Sequence, residues 1–302
     1  MAFGNDLGYG LLGSPTEYFG LAGITADSIS GAIPTFVFVM FQAMFAIITV
    51  ALISGAIADR TKFGAWMVFA GIWATLVYFP VAHWVFAFDS DGVTGGWIAN
   101  TLGAIDFAGG TAVHINAGAA GLALALVLGK RIGFGKTPFR PHNLPFVMIG
   151  AGLLWFGWFG FNAGSELAPD GTAALVWINT TVATCAAMLG WLLVEKLRDG
   201  HATSIGAASG VVAGLVAITP ACGALSPIGS IILGAVAGGL SAYAVGLKFR
   251  FGFDDSLDVV GVHLVSGLWG TIGAGLLSTS TGLLYGHGVK QTLLQIIVAL
   301  AS

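Results

Sequence analysis

Charged residues are scarce in this sequence. Asp, Glu, Lys and Arg make up 8% of its 302 residues, against roughly 25% in soluble domains. Hydrophobic residues make up 56%, and the mean hydropathy is +0.90. These values exclude an ordinary soluble protein and predict an integral membrane protein. The net charge of −3 says little about partners, and we expect no nucleic-acid partner.

Cysteine is also scarce, and nucleotide-binding motifs are missing. Cys185 and Cys222 both lie in apolar runs, so we interpret them as small buried side chains, which excludes a disulfide framework and a cysteine metal site. Neither GxxxxGK[ST] nor a strand-borne GxGxxG occurs, so nucleotide-driven pumping is not expected. We therefore predict no cofactor, no metal, no catalytic residue and no enzymatic activity.

Apolar runs of about 20 residues recur along the chain and predict membrane-spanning α-helices, because a bilayer core of about 30 Å needs about that length. Frequent glycine (47 residues) favours close helix packing. We predict one transmembrane domain over residues 1–302, an all-α polytopic bundle. Its spans are 30–58, 64–87, 104–129, 144–164, 171–194, 205–222, 228–247, 257–279 and a truncated 292–302.

The basic residues predict the orientation of the chain. All of them except Lys290 fall in alternate connections: Arg60 and Lys62; Lys130, Arg131, Lys136 and Arg140; Lys196 and Arg198; Lys248 and Arg250. By the positive-inside rule these connections are cytoplasmic. Residues 1–29 and the loops with Asp89/Asp91, Glu166/Asp170 and Tyr285 then face outward.

Two spans resemble each other. The third begins with Asp106 and contains Val113-His114, and the eighth begins with Asp258 and contains Val262-His263. Because they lie five spans apart, they run in opposite directions, as in an inverted repeat whose substrate site lies near the membrane midplane. The two histidines are candidates to line that site, and the alternative is polar glue between helices.

An acid and several aromatic residues lie towards the outer ends of spans. Asp106 is placed either to cap its helix or to attract a cation, with the same alternatives for Asp258 and capping favoured there. Phe41, Phe45 and Phe161 are either packing residues or a cation-binding mouth with a gate beneath it. Ser165 would add an acceptor for an N–H donor.

Five segments together resemble the ammonium transporter family (Amt/Mep, related to Rhesus proteins). They are DFAGGTAVHIN, GKRIGFGKTPFRPHNLP, WFGFNAGS, ITPACG and DVVGVH. The resemblance runs from about residue 3 to residue 302. It implies an eleven-span bundle of inverted five-span repeats, assembled as a homotrimer with one pore per subunit. Against that pattern, this sequence lacks the first two spans and the end of the last.

The resemblance also implies roles for individual residues. His114 and His263 match the paired pore histidines, Phe45 and Phe161 the gate, and Asp106 the acid of the outer vestibule. Phe41 and Ser165 match the ammonium recruitment site, and Ser209 and Thr219 match small polar residues beside the pore. The family has a recruitment tryptophan just after the second span of this sequence, where the present chain has Phe86, an acidic insertion and then Trp97. Either Trp84 or Trp97 would supply that tryptophan, and we assign Trp97.

These matches predict a protein of the cell membrane, embedded in the lipid bilayer, that transports ammonium, ammonia and methylammonium. Ammonium would be captured outside and deprotonated, and ammonia would pass the histidines. A nitrogen-regulatory signalling protein on the cytoplasmic face is a further expected partner. Two alternatives stay open: an ammonium sensor without net flux and a neutral gas channel of the Rhesus kind.

Overall fold

The computed structural model describes residues 1–90, 92–137 and 139–302, so Asp91, assigned above to an outward loop, lies outside the described residues. The chain is a helical bundle, as predicted for an all-α polytopic membrane protein. Within the described ranges, seven helical segments are long and apolar enough to cross a membrane. The helices are α1 Thr35–Ser54, α2 Phe63–Trp73, α3 Phe79–Phe86, α4 Asn116–Leu128, α5 Leu144–Asn162, α6 Gly171–Asp199, α7 Ser204–Ile218, α8 Pro227–Phe251, α9 Val265–Leu277 and α10 Lys290–Ala301.

Wider π-helical turns interrupt several of these segments. The turn Ala74–Tyr78 joins α2 to α3, so that residues 63–86 form one continuous helical segment. A second turn, Ile98–Leu102, stands alone, and two more lead into α4 (Gly110–Ile115) and α9 (Val260–Leu264). Strands β1 (Ile29–Ser30) and β2 (Ile33–Pro34) form a short antiparallel hairpin before α1. The structure therefore deviates from regular α-helix where the predicted histidine spans begin.

The outer surface of the bundle is apolar. Val127, Phe156 and Leu300 are among many large hydrophobic side chains on it, with relative exposures of 81%, 76% and 79%. In water such a surface would be strongly unfavourable, whereas in lipid it is not. The segments Ser204–Ile218 and Lys290–Ala301 are apolar but shorter than the others.

Small residues set the close packing inside the bundle. On α8, a Cβ atom at Gly234 or Gly238 would collide with the backbone carbonyl of Ala183 or Ala187 on α6. The two helices therefore touch through their backbones, which maximises van der Waals contact where no hydrophobic effect drives helices together. Much of the glycine content predicted to favour packing is used in this way.

Three connections meet at one end of the bundle, which we call the basic end. The Arg131 side chain donates to both carboxylate oxygens of Asp254 at 2.9–3.2 Å, and Arg60 donates to the Asp254 carbonyl and to Gly129 O. Burial opposes ionisation of Asp254, but the hydrogen bonds from Arg131 outweigh it and hold the pKa of that carboxyl below its usual range. The connections after α1, α4 and α8 are thus tied together.

Candidate functional site

His114 and His263 lie side by side in the middle of the protein. Their Nδ1 atoms are 3.3 Å apart, and their ring centroids are 5.4 Å apart at an interplanar angle of 15°. The two side chains are almost completely buried, at 0% and 8% exposure. Of two nitrogens at this distance, one must donate a hydrogen and the other accept it. The structure therefore brings the two sequence-predicted histidines into direct hydrogen-bond contact.

Glycines allow the two histidine spans to cross this closely. A Cβ atom at Gly118 would lie 2.6 Å from Leu264 Cβ, and one at Gly267 would lie 3.2 Å from His114 Cβ. Both histidines are also in the π-helical turns Gly110–Ile115 and Val260–Leu264. Such turns recur at functional sites, where the extra residue re-aims a side chain.

The span of His114 begins later than the sequence predicts. Residues 104–109 are not helical, and Gly109 has a φ of 110°, which favours glycine. The Asp106 carboxylate accepts hydrogen bonds at 2.7–2.8 Å from the N–H groups of Gly109, Gly110 and Thr111, and another from the Thr111 hydroxyl. Asp106 is therefore a helix cap, one of the two alternatives considered for it.

The opposing span has an equivalent cap, which is Asp255 and not the predicted Asp258. The Asp255 carboxylate accepts from Val259 N at 3.0 Å and Val260 N at 2.7 Å. Asp258 has a φ of 63° and bonds Lys248 Nζ at 2.6 Å, which directs it away from the helix start. Asp255 precedes His263 by the same number of residues as Asp106 precedes His114. The resemblance between the spans is therefore closer than the sequence analysis recognised.

A stack of aromatic rings covers the histidine pair. Trp158 lies parallel to His114 at 5.4 Å and 10°, and Phe161 stacks on both of these rings at 4.9 and 5.8 Å. Phe45 packs on Phe161 with centroids 4.6 Å apart and is 2% exposed. The predicted gate residues are thus in contact with each other, and one of them is in contact with a predicted pore histidine.

A hydrogen-bond chain fixes the Trp158 ring. Its indole N–H donates to Thr219 Oγ1 at 2.9 Å, and Thr219 donates in turn to Leu215 O at 2.7 Å. Thr219, predicted to be a polar residue beside the pore, therefore supports the ring that stacks on His114. Ser209 lies half-buried in the first half of α7, and the structure does not bring it into this group.

An aromatic cavity of about 330 Å³ opens above the stack. Phe41, Phe45 and Ser165 line it, as expected for the predicted recruitment site, together with Phe86 and Phe107. Ser165 Oγ donates to Phe161 O at 2.7 Å, so its remaining lone pairs are acceptors for an N–H group. Asp106 is one residue away from Phe107 but is not among the lining residues.

Neither tryptophan considered for the recruitment site lines this cavity. Trp97 packs on Trp84 with ring centroids 5.9 Å apart, and its backbone N–H bonds Gly10 O. The Trp84 indole N–H donates to Leu11 O at 2.7 Å. The Trp84 ring is therefore held by the N-terminal segment and the Trp97 ring packs on Trp84, while Phe86, at 5.9 Å from Phe45, lines the cavity.

Sequence reasoning missed three residues of the site and one buried histidine. The three residues are Phe86, Trp158 and Asp255. Their positions in the sequence could have indicated them: Phe86 directly precedes the acidic insertion, Trp158 precedes Phe161 by one helical turn, and Asp255 precedes its histidine by as many residues as Asp106 does. His83, which the sequence analysis did not single out, is fully buried near the end of α3, contacting Ala2 O and Asp6.

Comparison with known proteins gives consistent matches along the whole chain. The model of the Ammonium Transporter Family matches residues 1–302. An ammonium transporter of Mycobacterium bovis is 60% identical, over 96% of this chain and 67% of that protein. Among solved structures, Saccharomyces cerevisiae Mep2 has a TM-score of 0.90 at 34% identity, covering 100% of this chain and 69% of that one.

A structure titled "Sensor Amt Protein" is also similar. It has a TM-score of 0.89 at 28% identity, covering 99% of this chain and 74% of that one. The chain spans about two thirds of the length of the M. bovis and S. cerevisiae proteins.

Proposed function

Because the chain belongs to the ammonium transporter family, we propose that ammonium loses a proton at the aromatic cavity and that ammonia then passes the two buried histidines. The released proton passes separately along the hydrogen-bonded histidine pair, so that each ammonium transported carries one positive charge across. The observation that carries this proposal is the buried Nδ1–Nδ1 contact of His114 and His263, lying below the Phe45–Phe161 pair. The family is one of transporters, and no enzymatic step on another substrate is proposed.

The free-energy cost of burying a charge supports conduction of the neutral form. Moving an ammonium-sized ion into a medium of low dielectric constant costs on the order of 20 kcal/mol in the idealised Born limit. Ammonia carries no such penalty, and potassium has no proton to lose. A narrow apolar path therefore favours ammonia and excludes potassium.

The histidine pair provides both kinds of hydrogen bond along this path. When both rings are neutral, the Nδ1–Nδ1 hydrogen bond leaves one ring with a bare Nε2 acceptor and the other with an Nε2–H donor. His114 Nε2 is buried without a protein partner among the described residues. Because an unmet buried polar atom costs about 1–3 kcal/mol, a passing ammonia molecule that bonds it would be stabilised there.

Capture of ammonium takes place in the cavity above. The rings of Phe41 and Phe86 line it and supply cation–π attraction of about 0.5–2 kcal/mol, and Ser165 Oγ accepts from an ammonium N–H. Asp106, which adjoins the cavity-lining Phe107, adds a negative charge near the cavity while it caps the helix. Trp97 is not required for this site, because Phe86 occupies the corresponding face.

We extend the proposal to the setting of the protein. It is a multi-pass membrane protein; we propose the cell membrane as its location, with the 1–29 segment outside, and a homotrimer as its assembly. Methylammonium is proposed as a second substrate, and a nitrogen-regulatory signalling protein as a partner at the basic end. Sensing is less well supported than transport, because the curated relatives are named transporters.

Ammonium-evoked current in proteoliposomes, with potassium as the competing ion, tests the proposal. We expect His114→Ala and His263→Ala each to abolish most of the current or to admit potassium, because water enters where a ring is removed. His201→Ala, an exposed histidine in the connection between α6 and α7, is the control and should behave like the wild type. Wild-type current and selectivity in both pore variants would exclude the proposed path and leave the pair as interhelical glue. Current that is absent for the wild type while ammonia still equilibrates would favour the neutral gas channel.

A further inference from the structure

Gln295, on the last helix, has a completely buried amide group. Its side chain is 0% exposed, although a glutamine within an apolar helix is unfavourable unless its hydrogen bonds are satisfied. Its Oε1 atom accepts from Ile105 N at 2.9 Å, and its Nε2 atom donates to Ile105 O at 2.6 Å and to Thr271 O at 3.1 Å. The amide therefore bonds the backbone of two separate segments at once.

The two segments are those that carry the pore histidines. Ile105 adjoins the capping Asp106 and precedes His114 by nine residues, and Thr271 follows His263 by eight residues. Because the two spans run in opposite directions, both positions lie on the same side of the histidine pair, with Thr271 about 12 Å from His263 along its helix at 1.5 Å per residue. Gln295 thus connects the two spans at matching levels.

Residues 103–109 depend on such support, because they are not helical and have few internal hydrogen bonds. Gln291, one turn earlier on α10, donates to Gly103 O at 3.3 Å, and Phe107 N donates to Pro220 O at 3.0 Å. Gln295 makes the two contacts next to the cap itself. A shift of Ile105 would move Asp106 and, through the cap, the π-helical turn of His114.

We propose that Gln295 is a positioning residue for the histidine pair: by bonding Ile105 and Thr271 together, it sets the register of the two spans and hence the Nδ1–Nδ1 contact of His114 and His263. The inference rests on the proposed two-histidine path. On this proposal, α10 sets the geometry of the pore through Gln295 and not by lining the pore.

Gln295→Leu tests this role, with Thr292→Val as the matched control. Thr292 also ties α10 to α9, through Thr292 Oγ1 to Gly275 O at 2.8 Å, but its hydroxyl does not bond Ile105. Two quantities are measured in reconstituted protein: the ammonium-evoked current with its potassium leak, and the ¹⁵N resonances of the two pore histidines. A residue that only holds α10 in place would change the amount of folded protein and leave both quantities unchanged per folded molecule.

We expect Gln295→Leu to lower the current per folded molecule by about tenfold or more, as small misplacements of functional groups do, and to shift the histidine resonances. Thr292→Val should leave both near the wild type. If Gln295→Leu does not accumulate, Gln295→Glu replaces it. In its buried neutral form this side chain keeps an acceptor for Ile105 N and has one O–H donor in place of the two N–H donors, so one of the two ties is lost and smaller losses in the same direction are expected.

Two results would overturn the inference. The first is a folded Gln295 variant with wild-type current and wild-type histidine resonances, and the second is an equal loss in Thr292→Val. His114→Ala measured alongside separates the two proposals. If His114→Ala conducts normally, the histidine path itself is wrong; if it loses current while Gln295→Leu does not, only the positioning role is wrong.

Discussion

Removing the Asp106 carboxylate should have a large effect on stability, whatever that residue does for transport. In Asp106→Ala, three buried N–H groups lose their acceptor, at about 1–3 kcal/mol each. The sum, about 3–9 kcal/mol, approaches the whole free energy of unfolding of a typical domain, about 5–15 kcal/mol. We therefore expect little folded Asp106→Ala protein in the membrane.

Asp106→Asn should be much milder. Oδ1 of the acid accepts from Gly109 and Gly110, and Oδ2 accepts from Thr111 N and its hydroxyl. An asparagine keeps one oxygen and turns its NH₂ group towards the other set. If the NH₂ group faces Thr111, the Thr111 N–H loses its acceptor, which costs about 1–3 kcal/mol, and the Thr111 hydroxyl can rotate to accept from the NH₂ group.

Asp255 provides a matched comparison at the opposite cap. Asp255→Ala leaves two N–H groups without an acceptor, so about 2–6 kcal/mol is expected. The thermal midpoint in detergent should therefore fall least for Asp106→Asn, more for Asp255→Ala and most for Asp106→Ala. At about 2–4 °C per kcal/mol, these differences are measurable.

Asp106→Asn and a further variant with the same change at the opposite cap, Asp255→Asn, separate capping from cation attraction. Ammonium-evoked current is compared at equal amounts of folded protein, which removes the effect of each variant on protein yield. A loss in Asp106→Asn but not in Asp255→Asn would assign an electrostatic role to Asp106. An Asp106→Ala protein that accumulates and unfolds like the wild type would refute the capping calculation.

Three further outcomes are expected. Phe161→Ala should open space for water above His114 and raise the potassium leak in proteoliposomes. Phe156→Ala, on the exposed face of the same helix, is the control and should not raise the leak. An equal leak in both variants would argue against a gate at Phe161. Arg60 and Arg131 stabilise Asp254 in its ionised form, so the contribution of this carboxylate to stability is fully present above the ordinary aspartate pKa and is lost as pH falls through the lowered folded pKa. The thermal midpoint of Asp254→Asn should therefore vary less than that of the wild type between pH 5 and pH 3, about one unit either side of the ordinary value. The same pH dependence of the thermal midpoint in both proteins would contradict this. Gly118→Ala should force the histidine spans apart at Leu264 and reduce current several-fold, whereas normal current would show that the crossing adapts.

The sequence predicts the fold class well because apolar runs of bilayer length have few alternative explanations. It also predicts the histidine pair and the gate phenylalanines, which the structure places in contact. It does not predict the role of Trp158, because a helix that is apolar on all sides has no amphipathic face to show which ring points inward. Trp97 was assigned from the family resemblance and Asp258 from the repeat between the two spans. The Trp97 ring packs on Trp84, and the positive-φ backbone at Asp258 pairs its carboxylate with Lys248.

The π-helical turns at both histidines make the length of two short segments a constraint. Deleting one residue from such a turn would convert it towards α-helix and rotate one side of the span relative to the other by about 100°. The capping acid and the histidine would then no longer face their partners together. The separations 106–114 and 255–263 should therefore tolerate substitution far better than any change in residue number.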